Sequence, residues 1–227
     1  MTHPDARAVA DADAVEAALS LERFARYVAW AGGDRHRAVE LYTLNTRVSE
    51  ALYVPLQALE VALRNRIHAV MTEASGAGWF QPEAGQVTDR QSEQVRAAIA
   101  ELTEAGKPIE DGRVVAALTF SFWTSMFGRE QDDLWKRTLH RIATRDGKFL
   151  SRKAFATPLT QVRLLRNRIA HHEPILYWDL PKHHQAIGDM TRWLSPAMDE
   201  WRATLDRFDQ VHPPERMNLA RLRDDEA

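Results

Sequence analysis

Thirteen residues near the end of the chain, LLRNRIAHHEPIL from Leu164 to Leu176, combine groups that could act together on a phosphodiester. A guanidinium such as that of Arg166 presents a planar fork of donors that matches two phosphate oxygens and stabilises charge building on them. An imidazole titrates near neutrality, so His171 can take a proton from a ribose 2′-hydroxyl or return one to a leaving oxygen. Asn167 can orient either partner. In RNA the neighbouring 2′-hydroxyl is an internal nucleophile, so cleavage would need no metal and would leave a 2′,3′-cyclic phosphate and a 5′-hydroxyl. The bland alternative is that the arginines snorkel beside an apolar stripe and the histidine caps helix-end carbonyls.

Helical geometry decides whether these groups share a surface. Turned at 100° per residue, Leu159, Val162, Leu165 and Ile169 fall in one arc about 120° wide, a core face. Arg166, Ala170, Arg163, Asn167 and His171 follow along one flank, and Asn167 and His171 are i,i+4 neighbours. His172 falls on the core side of the arc and reads as a buried structural histidine. Glu173-Pro174 stops the helix, because a residue before proline avoids the helical region, and Glu173 could orient His171 or Arg168.

A related string, LRNRIHAV, occupies Leu63–Val70. Glu60, Arg64 and His68 lie four apart on one face there. Glu60 and Arg64 form an ordinary ion pair, or Glu60 fixes Arg64 and Asn65 beside the His171 flank. His183-His184 is not a metal signature, HHEPI is not HExxH, and no carboxylate cluster is nearby, so neither metal nor cofactor is expected. Nucleotide-binding glycine loops are absent.

The scaffold expected to carry these groups is all-α. No convincing period-2 alternation or Asp-Gly hairpin between apolar runs stands out. Ser20 caps a helix ending at Gly32-Gly33, and Asp34 caps the next. A long helix runs from about Thr46 to Ala74 on the stripe Leu52, Leu56, Leu59, Leu63, Ile67 and Val70, with Pro55 expected to kink or split it. Thr88 and Gln91 form a capping box. Asp111 opens a single apolar helix, RVVAALTFSFWTSMF, expected at the centre of the core. Thr157-Pro158 starts the signature helix, and Asp179 and Ser195-Pro196 start two more. Residues 1–18 read as a flexible tail, 19–210 as one helical domain and 211–227 as a second tail.

Composition agrees with a globular chain: of 227 residues, 44% are apolar and 27% charged. No apolar run is long enough for a membrane span, and the start lacks the pattern of a signal peptide. Absence of cysteine excludes disulfides and thiolate chemistry and fits a reducing cytoplasm. The net charge of −2 conceals a local excess: Lys136 to His172 holds ten Lys/Arg against Asp146 alone, a net of +9. Such an excess is the footprint of a polyanion partner, unless acids from elsewhere pair with it.

Arg166-Asn167-Arg168-Ile169-Ala170-His171 resembles the Arg, polar residue, then His signature of the HEPN superfamily. More narrowly ALYVPLQALEVALRNRIHAV, TFSFWTSMFG and LLRNRIAHHEPI, in that order, resemble the Abi-like (AbiD/AbiF-type) family of abortive infection proteins. The likeness runs from about Leu21 to Phe208. It implies a HEPN-like helical bundle with additional N-terminal helices. It also implies a metal-independent endoribonuclease acting against phage, with Arg166 on the phosphate, Asn167 orienting and His171 as acid and base. Glu60, Arg64, Asn65, Arg163 and Glu173 would support them. The resemblance further implies RNA as partner and a homodimer with a composite site, and leaves room for a neutralising partner protein. Some HEPN toxins carry a modifiable tyrosine two residues after the histidine; here that position is Glu173. A non-catalytic RNA- or nucleotide-binding module of the same fold is the rival expectation.

Overall fold

The computed structural model describes residues 12–19 and 21–213. These residues are overwhelmingly helical and pack as two compact units. The first is built from the described residues up to Tyr53, from Arg168–Leu180 and from the described residues after Asp206; the second comprises Val54–Asn167 and Pro181–Asp206. No described helix is long and apolar enough to cross a membrane.

In the first unit, α1 (Ala12–Leu19) lies within the stretch expected to be a tail, and α2 (Leu21–Trp30) follows. The expected cap Ser20 lies outside the described residues. After Gly32 and Gly33, both at positive φ, Asp34 caps α3 (Arg35–Ser75), its Oδ1 accepting from the Arg37 N–H at 3.1 Å. Phe24, Tyr27, Trp30, Ala31, Ala38, Val39 and Leu176 form the apolar centre of this unit. Tyr27 is buried, and desolvation, reinforced by Tyr42, pushes its phenol well above the ordinary value.

α3 continues into the second unit as one 41-residue helix. Every residue of the expected stripe, Leu52 to Val70, is buried. Pro55 lies inside this helix and does not split it, which removes one of the two outcomes expected of it. The ring forfeits one backbone hydrogen bond, but burial of the surrounding stripe, worth about 1.5–3 kcal/mol per large side chain, outweighs that loss.

The second unit continues with α4 (Asp89–Glu104), α5 (Asp111–Ala117), α6 (Phe120–Ser125) and α7 (Asp132–Arg137). Thr88 and Gln91 make the expected capping box on α4. The single helix expected over RVVAALTFSFWTSMF is instead two. Thr119 adopts extended backbone and its hydroxyl accepts from the Phe122 N–H at 3.4 Å, starting α6 afresh. Phe122 and Trp123 remain fully buried, as a central position requires.

A hairpin that the sequence reading missed comes next: β1 (Thr144–Arg145) pairs antiparallel with β2 (Lys148–Phe149). Asp146 and Gly147 turn it at φ 52° and 73°, the two successive positive values that favour Asp-Gly. The signature helix α8 (Arg152–Ala170) starts earlier than Thr157-Pro158. Ser151 accepts from the Ala154 N–H at 3.2 Å, and the added turn buries Phe155 completely. The gain from that burial holds the helix through Pro158. α9 (Leu180–Leu194) and α10 (Pro196–Leu205) follow, the latter capped by Ser195 with proline at its first position. α11 (Phe208–Val211) returns the chain to the first unit.

Candidate functional site

The end of α8 is fixed by its backbone. The Glu173 N–H donates to Arg168 O at 2.8 Å and the His172 N–H to Ile169 O at 3.0 Å, the paired closure of a Schellman motif. That closure needs a left-handed residue, and His172 supplies it at φ 57°. His172 is therefore exposed, correcting its expected place on the core side. The helical arc ends at Ala170, so the wheel no longer describes the residues beyond it.

Asn45, buried on α3 and unremarked in the sequence, secures the same segment. Its Oδ1 accepts from the Ile175 N–H at 2.8 Å and its amide donates to Glu173 O at 3.5 Å. Arg168 Nη1 pairs with Glu173 at 3.1 Å, and its guanidinium lies 5.5 and 5.6 Å from the ring centres of Tyr177 and Trp178. Glu173 thus engages Arg168. A groove of about 330 Å³ opens here, lined by Glu22, Arg23, Arg26, Arg168, His172 and Glu173, with Pro174. His171 is exposed, and no hydrogen bond or ion pair engages it among the described residues of this unit.

In the second unit, Leu159, Val162 and Leu165 are buried, which turns Arg166 and Asn167 to half-buried positions. Arg166 Nε lies 3.7 Å from Glu60 on α3, and its guanidinium stands 5.9 Å from the centre of the buried Phe120 ring. Glu60 therefore meets the signature arginine itself, not Arg64 as either expectation for this residue had it. No hydrogen bond engages the Arg166 guanidinium among the described residues. Arg64 is half-buried, with its Nε lacking a hydrogen bond among the described residues, and Asn65 is exposed. No hydrogen bond or ion pair joins either of them to Arg166 or Asn167 among the described residues.

The earlier RNRIH string has structural work. Arg66 donates to Arg141 O at 3.1 Å and Ile142 O at 3.2 Å. The Trp79 indole N–H donates to His68 Nδ1 at 3.1 Å, which places the proton of the neutral ring on Nε2. His184 Nε2 bonds Asp206 at 2.6 Å, and among the described residues no group of three or more His, Cys, Asp or Glu is placed to hold a metal.

The local positive excess is partly neutralised by acids from elsewhere. Lys136 and Arg152 share Asp132, Arg141 meets Glu73, Arg166 meets Glu60 and Arg168 meets Glu173. Arg163 is not among the paired residues.

Compared with known proteins, the chain matches no family model, no curated protein and no solved structure.

Proposed function

We propose that this chain is a metal-independent endoribonuclease of the HEPN type, acting in phage defence in the cytoplasm. One observation carries the reading: His171 is exposed, and unengaged among the described residues, immediately after the helix that bears Arg166 and Asn167. A proton acceptor must be reachable and free, and a capping histidine would be neither.

The reaction assigned to these groups is an internal transesterification. The imidazole takes the 2′-hydroxyl proton, the 2′-oxygen attacks phosphorus, and the bond to the 5′-oxygen breaks. The leaving oxygen receives a proton, giving a 2′,3′-cyclic phosphate and a 5′-hydroxyl. Glu60 holds the Nε side of Arg166, leaving the terminal nitrogens to grip two phosphate oxygens. Asn167 orients the phosphate or the imidazole. A second copy of the chain completes the site, with the signature helices facing each other.

The test is incubation of purified protein with total RNA in EDTA beside a His171→Ala variant, with analysis of the 3′ ends. Cyclic phosphates that vanish in the variant are the expected result. A rival reading, a binding module without chemistry, draws on the engagement of Arg166 by Glu60 and Phe120. It predicts equal RNA retention by both proteins and no cleavage. Light scattering tests the dimer.

A further inference from the structure

A different groove lies wholly within the second unit, bounded by α4, α6 and α8, and encloses about 230 Å³. Arg90 and Arg163 stand in its wall with Gln94, Ser121, Thr124 and Thr160, and no carboxylate lines it. Neither arginine has a hydrogen bond or ion pair among the described residues. This sets Arg163 apart from the five neighbouring cations that pair with acids.

Three of the four hydroxyls there are committed to the backbone. Thr124 donates to Ser121 O at 3.1 Å and Thr160 to Ala156 O at 2.8 Å. Ser125, also in the wall, donates to Phe122 O at 2.7 Å. The free donors are therefore the two guanidiniums, with the Gln94 amide and the Ser121 hydroxyl. Two unpaired cations in one concave wall focus a positive potential that an anion relieves. A volume below the roughly 300–1,000 Å³ of drug-sized ligand sites suits a small anionic group whose remainder stays outside.

We infer that this groove binds a phosphoryl group, gripped by Arg90 from α4 and Arg163 from α8. The guanidinium fork matches phosphate oxygens, and two forks from different helices fix its orientation. The phosphoryl group is a phosphodiester of single-stranded RNA or the phosphate of a small free molecule. This inference stands apart from chemistry at His171 and holds equally for a nuclease and for a binding module.

The test uses the full chain carrying His171→Ala, so that RNA is not consumed. Binding of a labelled single-stranded RNA decamer is followed by fluorescence polarisation across a salt series in EDTA. Arg90→Ala and Arg163→Ala are each expected to weaken binding about tenfold, the scale of one charge-assisted contact. Each should lower the magnitude of the salt slope by about 0.7, one phosphate contact on a single strand. Arg→Lys at either position keeps the charge and loses the fork, so it should fall between. In parallel, inorganic phosphate and ATP are tested for thermal stabilisation of the wild-type chain and of the double Ala variant.

RNA affinity lost in the variants identifies a nucleic-acid phosphate. Stabilisation by phosphate or ATP lost in the double variant, with RNA affinity unchanged, identifies a free ligand. Unchanged RNA affinity with no variant-sensitive stabilisation overturns the inference. Both side chains lack partners among the described residues, so melting temperatures without ligand should stay close to the parent and a folding failure is not expected. Cleavage by the wild-type chain beside unaltered RNA binding and no variant-sensitive stabilisation by phosphate or ATP would sink this inference and spare the nuclease. Variant-sensitive binding without any cleavage would do the reverse.

Discussion

Replacing His172 with glycine should stabilise the protein. The residue holds φ 57° at the C-terminal closure of α8, a conformation that costs a residue with a Cβ about 1–2 kcal/mol. Histidine tolerates it better than most, so the lower end applies. Glycine removes that cost but loosens the unfolded chain by about 0.5 kcal/mol or more. The net gain is then at most about 0.5 kcal/mol. For a chain of this length that corresponds to about 1–2 °C in melting temperature. The His172 side chain is exposed, so truncation loses little packing. His172→Ala keeps the strained backbone and should stay within about 0.5 kcal/mol of the parent. Calorimetry of the full chain reads both variants, and amide exchange at Glu173 reads the closure itself. RNA cleavage should persist in the glycine variant, because His172 has no step in the proposed reaction. A lower melting temperature for His172→Gly, or an equal rise for His172→Ala, would show that strain at this turn is not the controlling factor.

Asp132 accepts hydrogen bonds first from Lys136, at 2.6 Å, and then from Arg152, at 2.9 Å, which hold its carboxyl below the ordinary 3.8. Its contribution to stability is present above 3.8 and is lost as pH falls through the lower folded value. Lys136 is raised above 10.5 by the same bond, so its contribution is present below 10.5 and is lost as pH climbs through the folded value. Urea melts of Asp132→Asn across pH should therefore show shallower acid and alkaline limbs, and limbs identical to the parent would refute the linkage. Glu60→Ala should lower kcat/KM for RNA about tenfold or more by releasing Arg166. Stability should change by under about 1 kcal/mol, because the pair is partly solvated. Undiminished turnover would remove Glu60 from the site.

Where local chemistry and packing agree, the sequence was readable. Asp34, the Thr88 capping box and Ser195-Pro196 begin helices in the expected way, and the stripe from Leu52 to Val70 is buried as its spacing requires. Misreadings arose where a tertiary contact overruled a local rule. Pro55 and Pro158 sit inside helices because apolar burial around them outweighs one missing bond. Thr119 was hidden inside an apolar run, yet its hydroxyl breaks that run in two. The Asp146-Gly147 turn carries a plain signal, but charged residues rather than apolar runs flank it. At the candidate site, the positions of Arg166 and Asn167 beside a core face were legible from periodicity. Glu60 reaching Arg166, and Asn45 clamping the residues after α8, depend on contacts across more than a hundred residues and leave no local trace.

The distribution of the first unit over three separated stretches bears on how the molecule is made. Leu176 is needed to cover Phe24, Tyr27 and Trp30, and the Asn45 clamp closes across 130 residues. Bringing those ends together costs about 4 kcal/mol of chain entropy, and nothing repays it until the distant partner exists. A nascent chain still on the ribosome must carry those aromatic side chains uncovered at least until Leu176 has been made. The segment that carries His171 is clamped only by that same closure, so its setting is among the last features of the first unit to form.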